Sequence, residues 1–191
     1  MSSIFSDPSF RRGTTLLTGE AIDTEGGVPV AGGEIVGQVK VFRDVNPYTG
    51  VKFSNRLVYC VAARYKGTTV SDASTVAGEA YLFDLTDPLE EFTNKATTSN
   101  ATEGLAFGVL DEYLTGELRT NDIVWLVVRG PTSIKRTAAA INAGVAVQLS
   151  ATPGSVVAKT TGLTIGQQIE GANTSASAGL TRVNVIGDDR I

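Results

Sequence analysis

Histidine is absent from the 191-residue chain, and cysteine, methionine and tryptophan occur once each. The missing histidine removes the commonest general base and the commonest metal ligand together. It excludes His-dependent nucleophile triads and zinc sites of the H-E-x-x-H type. A single cysteine, Cys60, excludes an internal disulfide and every paired-Cys zinc or iron–sulfur motif. No apolar run approaches the roughly 18–20 residues that cross a bilayer as a helix, so no membrane partner is expected. The start, Met1-Ser2-Ser3-Ile4-Phe5-Ser6-Asp7-Pro8, lacks the basic and apolar regions of a signal peptide. With one unpaired thiol, this leads to an expectation of folding in a reducing cytoplasm. Basic charge is scarce as well: 16 Lys and Arg stand against 20 Asp and Glu, a net charge of −4. Nucleic-acid binders concentrate cations to displace phosphate counterions, so no nucleic-acid partner is expected.

What is present reads as β structure. The length fits one domain of about 100–200 residues, and 42% hydrophobic residues is ordinary for a folded chain. Glu34 to Phe42 mixes alternation with β-branched residues behind a Gly32-Gly33 turn. Val45-Asn46-Pro47-Tyr48-Thr49-Gly50 is a turn by its Asn-Pro and closing Gly. Leu57 to Ala63 is apolar on both faces and predicts an interior strand, and Ala80 to Leu85 predicts another. Ile123 to Arg129 is the strongest strand, stopped by Gly130-Pro131. Val145–Leu149 and Val156–Lys159 flank a Thr152-Pro153-Gly154 turn, and Ile165–Glu170 and Thr181–Ile186 close the chain. One helix start is expected at Asp87-Pro88-Leu89-Glu90-Glu91-Phe92, where Asp87 caps and Pro88 suits the first helical position. A polar loop over 97–102 follows it. Strands recurring every roughly 8–12 residues predict an all-β fold, a compact barrel or sandwich with one or two short helices.

Residues 1–20 differ from the rest. Ile4, Phe5 and Phe10 lie among Ser, Asp and Pro, followed by Arg11 and Arg12, with neither helical nor strand periodicity. We read this stretch as an extended N-terminal arm and 21–191 as the β domain, with 21–105 and 106–191 as candidate sub-parts. Ile4, Phe5, Phe10, Arg11 and Arg12 are the candidate contacts to a partner or a neighbouring copy.

Motifs of catalysis are missing: there is no phosphate-binding G-x-x-x-x-G-K-[ST], no G-x-G-x-x-G after a strand and no G-x-S-x-G elbow. The carboxylate pairs Glu90-Glu91, Asp111-Glu112 and Asp188-Asp189 are adjacent residues on what read as solvated turns or a helix start. Glycoside hydrolysis needs two acids opposed across a cleft. Asp44-Val45-Asn46-Pro47-Tyr48 begins like a calcium loop but lacks its third oxygen ligand, Gly and closing Glu. Cys60 and Trp125 lie in apolar segments and read as core. No catalytic, cofactor or metal residue is therefore expected, and the chain reads as a non-enzyme.

A resemblance enters after Phe107. Phe107-Gly108-Val109-Leu110 leads to Asp122-Ile123-Val124-Trp125-Leu126-Val127-Val128-Arg129-Gly130-Pro131. Ile141-Asn142-Ala143-Gly144, Pro153-Gly154-Ser155-Val156 and Ile165-Gly166-Gln167-Gln168 follow in order. This succession resembles the capsid cement, or decoration, proteins of tailed bacteriophages, head-stabilising β domains that clamp the shell from outside. The resemblance covers less than half the chain, and the strands across Lys40–Tyr65 depart from the compact members. It implies a structural protein on the virion's capsid surface, made in the host cytoplasm, with the major capsid protein as partner and a homotrimer as the expected assembly. The alternatives are a carbohydrate-binding β module of a surface fibre, another virion part such as a tail-tube or head-completion protein, and, last, a carboxylate hydrolase.

Overall fold

A computed structural model of the chain describes residues 12–16, 24–25, 28–29, 36–83, 91–99, 107–170 and 178–186. The expected all-β fold takes the form of a closed five-stranded barrel with further strands around it. Two long strands organise it, β4 (Lys52–Tyr65) and β8 (Ile123–Arg136), after the short β1 (Thr24–Glu25) and β2 (Val28–Pro29) and the edge-forming β3 (Val39–Val45). From β4 and β8 the barrel closes through β7 (Phe107–Leu110), β5 (Ala80–Phe83) and β6 (Glu91–Lys95). The last of these returns to β4 in parallel at Arg64↔Glu91 and Tyr65↔Phe92. The second half of β8 pairs with β12 (Gly179–Val185), which leads through β11 (Gly166–Gln168) and β9 (Ala146–Leu149) to β10 (Val156–Ala158). That circuit closes on the end of β8 by the pair Val156↔Arg136. Pairing of β4 with β8 carries one sheet across the 105/106 point in the sequence.

The two-sided apolarity across Cys60–Tyr65 and Ile123–Val128 has a direct cause: both faces of these stretches are buried. Val124, Leu126 and Val128 join Val61, Ala63 and Tyr65 in one core with Tyr81, Phe83, Phe92 and Leu110. Tyr65, Tyr81 and Phe92 pack there edge-on or tilted, with centroids 5.3–6.0 Å apart. Alternate residues Ile123, Trp125 and Val127 face the opposite way, with Val58, Cys60 and Ala62 and the second circuit's Val147, Leu149, Val156 and Val183. Phe42 of β3 covers Trp125 edge-on at 5.5 Å.

Four sequence expectations are corrected. Gly130-Pro131 does not stop β8, which continues to Arg136. Gly130 has φ +101°, and a Cβ there would overlap the Leu57 carbonyl oxygen, so only glycine lets the strand turn while touching β4. At this point β8 exchanges its neighbour β4 for β12, where Pro131 stands opposite Asn184. The helix start at Asp87 falls partly outside the described residues, but Glu91 and Phe92 belong to β6, because Phe92 is required in the aromatic core. Thr98 and Ser99 are helical where a polar loop is expected. The first predicted strand also lies later, at Val39–Val45.

Candidate functional site

Residues 12–16 form the root of the N-terminal segment, and they are built into the body. Leu16 N–H donates to the Ile123 carbonyl at 2.8 Å, tying the root to the start of β8. Gly13 (φ +77°) lies so close to Tyr113 and Tyr48 that a Cβ would stand 2.7 Å from the Tyr113 carbonyl oxygen. Tyr48, at the tip of the β3–β4 hairpin, donates its hydroxyl to the Gly13 carbonyl at 2.6 Å. The hairpin turn is itself shaped by Asn46, whose Oδ1 accepts from the Tyr48 and Thr49 amides. The root thus sits between the hairpin tip and the turn that follows β7.

Arg12 is the centre of this arrangement. Its guanidinium is 2% exposed and donates twice to Asp111, from Nε to Oδ2 at 3.0 Å and from Nη2 to Oδ1 at 3.1 Å. This is the bidentate geometry in which Arg–carboxylate pairs are strongest. Glu112 lies 3.6 Å from the same Nη2 and also accepts two bonds from Arg182 at 3.1 Å. Arg182 in turn bonds Asp44, whose other oxygen accepts from Ser54 Oγ at 2.7 Å. One buried chain of charges, Asp111–Arg12–Glu112–Arg182–Asp44, therefore joins the root to the β7 turn, β12 and β3. Burial opposes the charge on Arg12, and attraction to Asp111, its hydrogen bond and Glu112 outweigh that, so its pKa lies above the ordinary value. Burial also raises Cys60, a buried thiol of the core. Tyr113, whose ring lies 4.9 Å under the Arg12 guanidinium, is pushed up to about 12 by burial and then by Glu112.

One face of the β3–β4 hairpin is unusual. Residues opposite one another in an antiparallel pair share a face, so Val41 with Tyr59 and Arg43 with Leu57 look the same way as Val39. The other face carries Phe42, Val58 and Cys60 into the core. An antiparallel sheet with one buried face normally puts polar residues outward. Here Val39 is 54% exposed, Val41 37% and Leu57 47%. Arg129 lies over the Tyr59 ring at 5.8 Å.

A second charged cluster is centred on Glu79. Glu79 accepts from Tyr81 at 2.9 Å and pairs with Lys95 at 3.0 Å and Lys135 at 2.9 Å. A cavity of about 400 Å³ next to it is lined by Tyr65, Tyr81, Thr68 and Lys95 among others. Burial raises both tyrosine pKa values, which keeps the phenols protonated as donors rather than nucleophiles.

Of the five sequence-predicted contact residues, Ile4, Phe5, Phe10 and Arg11 lie outside the described residues. Arg12 is turned inward, so its guanidinium ties the segment to its own domain. Asp111 and Glu112 are not on a solvated turn: they are 1% and 8% exposed because two arginines remote in sequence neutralise them. Asp44 is buried in the same network, and no group of three potential metal ligands occurs among the described residues. Glu90, Asp188 and Asp189 lie outside the described residues. Sequence reasoning missed the network because its members stand 70 to 138 positions apart. The one local signal was Arg12-Gly13 directly after an apolar-aromatic stretch.

No family model matches the chain, and no curated protein matches it. Among solved structures it is similar to the N base of the head fiber protein gp8.5 of bacteriophage phi29. The likeness is at 14% identity and a TM-score of 0.42, covering 68% of this chain and 94% of that one. A likeness so distant carries no argument about function.

Proposed function

We propose that the chain is a structural protein of a tailed-bacteriophage virion. It binds the outside of the capsid through contact alone, without catalysis, and stabilises it by bridging subunits of the major capsid protein. The observation that carries this is the anchored root. Asp111 and Glu112 on Arg12, the Tyr48 hydroxyl on Gly13 and the Ile123 carbonyl on the Leu16 amide hold residues 12–16 in place. The apolar residues Ile4, Phe5 and Phe10 precede that fixed point in the sequence. A tether that joins apolar anchors to a rigid domain suits a protein that holds two other subunits together, with burial contributing roughly 25 cal/mol per Å² before ordering costs. A homotrimer over a local three-fold junction fits the resemblance described above. The test is to mix the purified chain with expanded heads lacking it. Saturable, stoichiometric occupancy and a raised head melting temperature are expected, and no occupancy would overturn the proposal.

A carbohydrate-binding β module is the alternative, favoured by the half-exposed Tyr48 and Phe53 near the hairpin tip. Saturable binding on a glycan array, without head binding, would select it.

A further inference from the structure

We infer that the outer face of the β3–β4 hairpin is a second docking surface, shaped for an acidic protein surface with an aliphatic centre. This rests on the capsid-binding proposal and names the chemistry of the partner's side. The chain as a whole is acidic, with 20 Asp and Glu against 16 Lys and Arg. Residues 39–57 reverse that balance: Lys40, Arg43, Lys52 and Arg56 stand against Asp44 alone, and Asp44 is buried against Arg182. Arg43, Lys52 and Arg56 are exposed, and no carboxylate partner occurs for them among the described residues. Every exposed charge of the hairpin is thus positive.

Of these cations Arg43 shares the face of the exposed Val39, Val41 and Leu57 and of the Tyr59–Arg129 stack. Arginine and tyrosine around an aliphatic centre are what well-packed protein interfaces concentrate. Arg43, Lys52, Ser54, Asn55 and Leu57 line a cleft of about 300 Å³. A partner's Asp or Glu side chain fits there, its carboxylate facing the Arg43 fork and the Lys52 ammonium and its methylenes lying on Leu57. A nucleic acid is the poorer occupant. Phosphates gain nothing from the aliphatic residues, whereas the methylenes of an Asp or Glu side chain bury Leu57.

The experiment uses the full-length chain and heads lacking it, and compares wild type, the double variant Arg43→Glu/Lys52→Glu and the control Lys159→Glu. The double variant is expected to lose about tenfold or more in head affinity, with its own melting temperature and light-scattering mass unchanged. The control is expected to bind as wild type. Wild-type binding matched by the double variant overturns this inference and leaves the capsid proposal standing. No wild-type binding overturns both. A change in oligomeric state that accounts for the loss would make the face a contact between copies, and loss of binding to a duplex DNA probe with head affinity unchanged would make it a nucleic-acid face. Either outcome overturns the inference.

Discussion

Arg12 shows what a single residue does in this chain. Its guanidinium is held by Asp111 in a site neither side chain could occupy alone, so removing one leaves the other charged and buried. Arg12→Ala is expected to cost about 3–5 kcal/mol in denaturant unfolding, whereas Arg12→Met combined with Asp111→Leu should recover most of it. A loss below about 1 kcal/mol for the single variant would mean that the pair is not a tie. Cys60 and Tyr113 make a second prediction. Both have folded-state pKa values above their ordinary values of 9.0 and 10.0, so the folded chain keeps protons that the unfolded chain gives up. Their contribution is intact below the unfolded pKa values and is lost as pH rises through the folded ones. Thermal stability is expected to fall between pH 9.0 and about 12, and a flat profile across that window would contradict the assignment.

At the scale of elements, the behaviour of β8 turns on Gly130. Its φ of +101° and the closeness of Leu57 let one strand serve the barrel with its first half and the second circuit with its second. Gly130→Ala is expected to destabilise by roughly 1–3 kcal/mol from the backbone conformation alone, and more from the overlap with β4. Unchanged stability in a melting experiment would show that the bend tolerates a side chain. This element also marks how far the sequence could be read. The strands over Leu57–Ala63 and Ile123–Arg129, the Asn46–Gly50 turn and the Thr152–Gly154 hairpin were legible, because periodicity and turn chemistry are local. A glycine-proline pair within a strand reads locally as a stop, and only the neighbour exchange from β4 to β12 reveals it as a bend. Phe92 reads as the first turn of a helix by its neighbours, and the aromatic core overrides that local preference. The buried charge chain was illegible for a related reason: Asp111-Glu112 looks solvated until Arg12 and Arg182 are brought to it.

The whole molecule combines an all-β body, a root pinned between hairpin tip and β7 turn, and a basic-apolar face on the β3–β4 hairpin. Glu112 is shared by Arg12 and Arg182, and Arg182 by Asp44, so the root and the hairpin are held by one network rather than two. Substitutions at Arg12 and Arg182 are accordingly expected to be non-additive, by about 0.5–3 kcal/mol in a double-mutant cycle. Additive effects would separate the root from the hairpin. The burial of Arg12 also decides how the arm must be tested. A truncation that includes it would damage the domain, whereas removal of residues 1–11 leaves the Asp111 tie in place. The most direct measurement is head occupancy by the chain lacking residues 1–11, with its melting temperature measured alongside. The anchored-arm account predicts a folded domain that no longer occupies or stabilises heads. A folded domain that occupies and stabilises them as the intact chain does would contradict it.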